Sequence, residues 1–259
     1  MVESNLDDHP RNHAVLAKDR GWRLSPAYDL TPNPMIALKR IKIMIKAIFW
    51  DNDGVLVDTE KFYYLANKML LSRYQIELTE ALFRDLYLTQ SKGAWHLIPQ
   101  VHLESTGVSD LRNERNAMYI EMLQTGDFRI PGVEQALKSL MNRYTMAVVT
   151  SSLREHFEII HRRTDYLRFF NFVLTREDYK MSKPEPEPYL KALELLAIDP
   201  DNVVVIEDSE RGIMAAKRAG LTCWAVPNRL STHGNFSQAD RVLSNIEEVA
   251  RLLLDDSIA

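Results

Sequence analysis

The stretch MIKAIFWDNDGVLVDTE, residues 44–60, decides how the chain is read. An apolar run over 45–50, interrupted only by Lys46, stops at Asp51 and Asp53, which stand two positions apart and are followed by Gly54. A strand that is apolar at successive positions belongs in a parallel sheet covered on both faces. In such sheets ligands sit beyond the carboxyl ends of the strands, where these two acids are placed. An acidic pair in a turn is common, so the pair carries weight only if other strands end in the same way.

Outward from this stretch, they do. Residues 59–123 hold no strand signal and show helical spacing instead, as in Tyr64, Leu65, Met69 and Leu70, then Leu82, Leu86 and Leu88. Strand-like runs resume at 145–150 (TMAVVT) and recur at 172–175, 203–206 (VVVI) and 222–226. Helix-like stretches lie between them at 133–143, 154–163, 188–197 and 210–220, with a last one over 245–254. Gly220 suits a helix stop, and Pro188 suits a first helical turn after the stiff loop SKPEPEPY. The alternation predicts an α/β fold: a Rossmann-like parallel sheet with helices on both faces and an inserted α-helical cap domain. The expected division is 44–58 with 126–259 as the core and 59–125 as the cap.

The predicted strands end in Asp51 with Asp53, Thr150 with Ser151, Glu207 with Asp208 and, more weakly, Thr175. If the sheet forms, these carboxylates converge and repel one another unless a cation sits among them. Hard oxygen donors suit Mg²⁺, which keeps waters that a phosphate can replace. Lys183, on a nearby loop, adds a positive charge. Such a set fits a dianionic phosphoryl group, with Thr150 and Ser151 as the strand-end hydroxyls that orient it. Asp51 can attack phosphorus and carry an aspartyl-phosphate. Asp53 can protonate the leaving oxygen and later take a proton from water.

Each element also has a plain reading. Asp58 reads as the cap of the next helix, Ser151 and Ser152 as possible caps, and Ser209 as the N-cap of the helix after 203–206. The histidines form no zinc spacing. His156 and His161, with Arg162 and Arg163, read as a basic helix face. Trp95 and Trp224 read as core or cap-interface residues, and Cys223 as a buried structural thiol.

Together the four motifs resemble the haloacid dehalogenase superfamily of aspartate-nucleophile hydrolases: Asp51-Asn52-Asp53-Gly54-Val55, Thr150, Lys183 in Ser182-Lys183-Pro184, and Glu207-Asp208-Ser209. The resemblance runs from Met44 to the C-terminus. A helical insert between the first and second motifs is similar to the small-cap subgroup, which holds phosphoglycolate phosphatases, sugar-phosphate phosphatases and β-phosphoglucomutase. It implies Asp51 as nucleophile and metal ligand, and Asp53 as acid/base with its carbonyl on the metal. It also implies Thr150 on the phosphoryl group, Lys183 between nucleophile and phosphate, and Asp208 on Mg²⁺. Glu207 matches a metal ligand in mutase-like members and differs in role elsewhere. The dehalogenase branch lacks an acid at the position of Asp53, so phosphate esters are the expected substrates. In the cap, TQSKGAWHL (residues 89–97) is a turn in which Gly93 permits the bend and Lys92 contacts the substrate; a solvated lysine is the alternative.

Residues 1–43 differ in texture. LDDHPRNHAVLAKDRGWRLSPAYDLTPNP, residues 6–34, resembles the catalytic stretch of HipA-type toxin kinases, with Asp7, Asn12 and Asp29 at the matching positions. It lacks an ATP-binding lobe and is too short to bury a core of its own, so a non-functional remnant is expected, with Met44 a natural alternative start.

Composition sets the frame. The 259 residues are 46% apolar and 26% charged with a net charge of −4, so no nucleic-acid footprint is expected. Cys223 is the only cysteine, which fits a reducing compartment. The most apolar stretch, 35–50, is broken by Lys39, Arg40, Lys42 and Lys46, and no signal peptide is read, so a cytoplasmic protein without a membrane partner is expected. The expected activity is a Mg²⁺-dependent phosphatase for a small phosphorylated metabolite, a sugar phosphate foremost. A β-phosphoglucomutase-like mutase and a non-catalytic module on the same fold are the alternatives. Oligomeric state is left open, with a monomer in keeping with the subgroup.

Overall fold

In the computed structural model the described residues are 15–18, 21–24, 44–90 and 92–255. Asp7, Asn12 and Asp29 lie outside them. The chain divides into two compact units, 1–42 and 43–259. In the first, β1 (Val15–Lys18) pairs antiparallel with β2 (Gly21–Leu24), from Val15 opposite Leu24 to Lys18 opposite Gly21.

The second unit is built on six strands: β3 (Ala47–Trp50), β4 (Thr145–Val149), β5 (Phe172–Leu174), β6 (Val203–Glu207), β7 (Thr222–Ala225) and β8 (Arg241–Val242). They lie in the order β5-β4-β3-β6-β7-β8 and every pairing is parallel. The strands read as unbroken apolar runs because both faces are covered. Ile48, Trp50, Met146, Val148, Val204 and Ile206 pack into one core with α5 (Val133–Leu140), α6 (Arg154–Thr164) and α9 (Ile246–Leu254). Ala47, Phe49, Ala147, Val149, Val203 and Val205 point the other way, into a second core with α7 (Glu187–Leu196) and α8 (Glu210–Arg218). This is the period-two alternation of a strand. From β3 the chain proceeds outward through β4 and β5, then returns to the far side of β3 with β6, so the order reverses beside β3. A crevice opens at such a switch point.

Between β3 and β4 lie the inserted helices α1 (Glu60–Ser72), α2 (Glu80–Phe83), α3 (Gln100–Thr106) and α4 (Val108–Thr125), with a π-helical turn at Arg84–Thr89. They enclose their own apolar cluster around Tyr64, Leu70, Leu71, Leu78, Phe83 and Leu111, which Leu230 joins from the loop after β7. The insert leaves and rejoins the core at adjacent points: Asp58 N donates to Phe128 O at 2.8 Å, and Val57 bridges Arg129.

Several local expectations hold. Cys223 is fully buried, the last helix is present as Ile246–Leu254, Ser209 caps α8, and α8 gives out just before Gly220. The helical spacing read at Tyr64, Leu65, Met69 and Leu70 forms α1, with Tyr64, Leu70 and Leu71 in its buried stripe and Leu65 and Met69 on its exposed face. Others do not. Thr59, not Asp58, precedes α1, and Asp58 instead pairs with Lys61 at 2.8 Å, the exposed acid finding the cation three residues on. Thr175 closes a capping box with Asp178 and does not reach the strand-end cluster. Among the described residues no helix is long and apolar enough to cross a membrane.

Candidate active site

The strand ends deliver their polar residues to one place. β3 is flanked in register by β4 and β6, with Trp50 opposite Val148 and Ile206. Asp51 is one residue past Trp50, level with Val149 and Glu207, and Thr150 and Asp208 follow one position further on, so the strand ends deliver all of them to one edge. Asp51, Glu207 and Asp208 each offer a carboxylate oxygen, and these oxygens all lie within 4.8 Å of one another. All three residues are buried.

Lys183 ties the cluster together. Its Nζ donates to Asp51 Oδ1 at 2.7 Å, to Val149 O at 2.8 Å and to Glu207 Oε1 at 2.7 Å, which uses all three of its donors. Burial opposes its charge, yet Asp51 and Glu207 hold the ammonium above the ordinary lysine range. Glu207 is committed on every side. Its Oε1 also accepts from Tyr189 Oη at 2.7 Å, and its Oε2 accepts from Ser209 Oγ at 3.1 Å. These contacts make Glu207 an anchor for Lys183 more readily than a metal ligand, because little of its lone-pair capacity is left.

On the other side, Asp208 Oδ2 accepts from Asn228 Nδ2 at 2.6 Å, and the same amide reaches Glu60 Oε2 at 3.0 Å. Gly54 makes room for this: its φ is +88°, and a Cβ there would stand 2.3 Å from Asp208 Oδ2. Crowding of acids shows in their protonation. Burial pushes Asp51 up to about 7 against the pull of Lys183, with Glu207 and Asp53 adding repulsion. Burial pushes Glu60 up to about 8, and Asp208 goes well above the usual carboxylate range through burial and the charges of Glu60 and Asp51. Buried oxygen donors that destabilise one another's charge fit a hard divalent cation, and Asp51 and Asp208 retain the capacity to hold it.

Asp53 faces away from that trio. Its carboxylate accepts from the hydroxyls of Thr59, Ser152 (2.6 Å) and Thr150 (3.3 Å). Ser152, read from sequence as a possible cap, is therefore a partner of Asp53, and Leu153 takes the position before α6. Ser151 lines the same cavity.

The basic helix face expected for His156 and His161 is wrong. Both are buried; only Arg162 and Arg163 of that run are exposed. His156 packs edge-on against Tyr119 at 5.0 Å. His161 Nε2 lies 2.8 Å from Asn52 Oδ1, and its Nδ1 lies 2.9 Å from Thr164 Oγ1. With Asn52 Oδ1 accepting, Nε2 carries the proton of a neutral imidazole. Asn52 sits between the two acids, and its carbonyl receives the N–H groups of Val55, Leu56 and Val57. The histidine thus braces the turn that aims Asp51 and Asp53.

Burial depresses His161 to about 4 from 6.5, with Asp53 opposing. The unfolded chain then binds the extra proton between those values, so this histidine's contribution to stability is full above pH 6.5 and is lost as pH falls toward 4. The loss amounts to roughly 3 kcal/mol. The raised carboxylates act in the opposite sense, so the comparison must be differential. Urea unfolding at pH 7 and pH 5 is expected to show a smaller acid-side loss for His161→Gln than for the natural chain. Equal losses would dissociate His161 from this behaviour.

Above the strand ends a cavity of about 570 Å³ is roofed by the insert. Tyr63, Phe83, Tyr87 and Trp95 line it, as do Lys92, Arg112 and Arg115. The turn expected at Gly93 is present, with φ of +69° and the N–H groups of Lys92 and Gly93 both on Leu86 O. Trp95 lies at this interface as expected, and Trp224 in the core.

The site contains residues that the sequence reading did not single out as part of it: Asn52, Glu60, Ser152, His161, Tyr189 and Asn228. Asn228 follows β7, so the same strand-end rule could have found it; Glu60 lies inside the quoted stretch. Tyr189 and His161 face inward from helices and carry no local signal.

A model of the haloacid dehalogenase-like hydrolase family matches residues 48–226, and a model of the HipA-like C-terminal domain matches residues 1–78. A phosphorylated carbohydrates phosphatase of Thermotoga maritima is 32% identical over 68% of this chain and 82% of its own. The (DL)-glycerol-3-phosphatase 1 of Arabidopsis thaliana is 28% identical over 78% of this chain and 70% of its own. Among solved structures, CbbY of Rhodobacter sphaeroides in complex with phosphate superposes with a TM-score of 0.66 at 24% identity, covering 80% of this chain and 96% of that one. The β-phosphoglucomutase of Clostridium difficile gives 0.63 at 21% identity, covering 80% and 93%; both show likeness of fold.

Proposed function

The chain belongs to the haloacid dehalogenase-like hydrolase family as a phosphoric monoester hydrolase, and on that premise we propose a magnesium-dependent phosphatase that acts on a small phosphorylated metabolite, a sugar phosphate foremost, through an aspartyl-phosphate on Asp51. The observation that carries this reading is the buried bridge from Lys183 to Asp51 and Glu207, set beside Asp208 at the ends of two adjacent strands. The activity of the Thermotoga maritima relative on phosphorylated carbohydrates supports the choice of substrate.

Asp51 and Asp208, with the main chain of Asp53, would hold Mg²⁺, which when bound offsets the charge of the phosphoryl oxygens. Lys183 fixes one oxygen of Asp51 and leaves the other to attack phosphorus. As the new P–O bond forms, the ester P–O bond breaks and Asp53 gives its proton to the departing alkoxide. Water then attacks the phosphorylated Asp51, Asp53 takes its proton, and inorganic phosphate leaves with both acids restored. Thr150 and Ser152, which hold Asp53 here, can turn their hydroxyls to the phosphoryl oxygens. Glu207 works through Lys183 as a positioning residue.

Phosphate release from a panel of sugar phosphates is expected with Mg²⁺ and is expected to fall by about a hundredfold or more with EDTA, returning when Mg²⁺ is restored. Release at an undiminished rate in EDTA would exclude the metal. Conversion of a sugar phosphate to its isomer, primed by a bisphosphate and without net phosphate release, would replace hydrolysis by the mutase reaction.

A further inference from the structure

The core side of the cavity mixes acids with cations, among them Lys183, Arg176 and Arg211, whereas the insert's charges are almost all positive. All its carboxylates belong to the floor: Asp51, Asp53 and Asp208 at strand ends, and Glu60 in the first turn of α1. Beyond Glu60, among the described residues, the insert contributes no carboxylate to the lining but three cations, Lys92, Arg112 and Arg115.

Arg115 decides what they are for. It is only 7% exposed, and among the described residues it has no carboxylate partner. Other arginines packed on the insert do: Arg73 pairs with Glu114, and Arg84 and Arg229 with Glu80. The Arg115 guanidinium is held in place by neutral groups instead. Its Nη1 donates to Tyr63 Oη at 2.5 Å and to Asn67 Oδ1 at 3.3 Å, and its Nε donates to Asn116 Oδ1 at 2.9 Å. The plane lies over the Tyr63 ring at 4.4 Å and near Trp95 at 5.8 Å. Nη2 forms no hydrogen bond among the described residues.

Burying a guanidinium without a counter-charge is costly, and a pre-oriented fork with an open N–H edge matches a carboxylate or phosphate. The roof also carries the hydroxyls of Tyr63, Tyr87 and Tyr119 and the amide of Asn116, but a guanidinium that only donates and is always charged is matched better by an anion than by a neutral hydroxyl. We propose that the natural substrate carries a second anionic group, a carboxylate or a second phosphate, remote from the phosphoryl group that is transferred. Arg115 receives that group, with Lys92 and Arg112 adding charge at the rim. This rests on the phosphatase reading and narrows its substrate class.

Two substrate pairs separate the possibilities. 3-Phosphoglycerate and glycerol 3-phosphate differ by a carboxylate in place of a hydroxymethyl group; fructose 1,6-bisphosphate and fructose 6-phosphate differ by a second phosphate. In at least one pair the more anionic member is expected to have the higher kcat/KM by about tenfold or more, and the pair that shows it identifies the anion. In Arg115→Met the preference is expected to fall toward unity through a rise in KM for the anionic member, and Arg115→Lys is expected to keep part of it. Should Arg115→Met fail to fold, Lys92→Ala at an exposed position is expected to weaken the same preference. Phosphate release with no preference in either pair overturns the inference, as does a preference that survives in folded Arg115→Met or, in its place, in Lys92→Ala. Absence of release from all four esters and from p-nitrophenyl phosphate overturns the phosphatase reading itself.

Discussion

An Asp51→Asn protein is expected to lose turnover by about 10⁴-fold or more while melting no lower than the natural chain. The two outcomes come from one cause. The amide has the shape of the carboxylate but no charge to attack phosphorus, so covalent chemistry stops. The natural carboxylate, however, is pushed up to about 7 by burial despite Lys183. A carboxyl raised in the folded state opposes folding when ionised, so in metal-free solution its neutral replacement relieves the fold where it disables the enzyme. The measurements are single-turnover phosphate release and a melting curve, each without and with Mg²⁺. More than about one hundredth of the natural rate would remove Asp51 from the nucleophile's role.

Lys183→Met is expected to damage both properties together. Removing the ammonium leaves Asp51 and Glu207 buried without their cation and Val149 O without its donor. Breaking a buried pair from one side costs about 3–5 kcal/mol, and loss of the charge facing the phosphoryl group is expected to lower kcat by about a thousandfold. The two orphaned carboxyls gain protons more readily in the folded variant, so its deficit is expected to deepen as pH rises from 5 to 8. Denaturant midpoints at the two pH values test this. A pH-independent deficit would mean that lost packing, not stranded charge, is responsible. Lys183→Met/Glu207→Leu is expected to regain part of the stability and none of the activity.

What the chain's letters disclosed follows from how locally each part is encoded. Five of the six core strands show as apolar runs, four of them because they are buried on both faces, and the rule that polar chemistry gathers at their carboxyl ends found Asp51, Asp53, Thr150 and Asp208. Lys183 entered as a positive charge on a nearby loop, and its place beside Asp51 came from the family motif, since nothing local marks a loop lysine that reaches back to β3. β8 escaped because it is two residues long and exposed, an edge strand without an apolar signature. His161 was misjudged because its neighbours Arg162 and Arg163 lend it a basic context, whereas its partner Asn52 is 109 residues away. Arg115 looked like any charged helical residue; its worth appears only when one sees that no acid answers it.

The junction beside Val57 bears on how such an enzyme can change its trade. Outgoing and returning chain meet there, with Asp58 N on Phe128 O at 2.8 Å, so the inserted helices hang from a single narrow stalk. The hydrolytic machinery is anchored in the sheet, whereas Lys92, Arg112 and Arg115 ride on the far side of that stalk. Descendants can therefore redraft the ceiling, trading one metabolite for another, while inheriting the hearth beneath it intact.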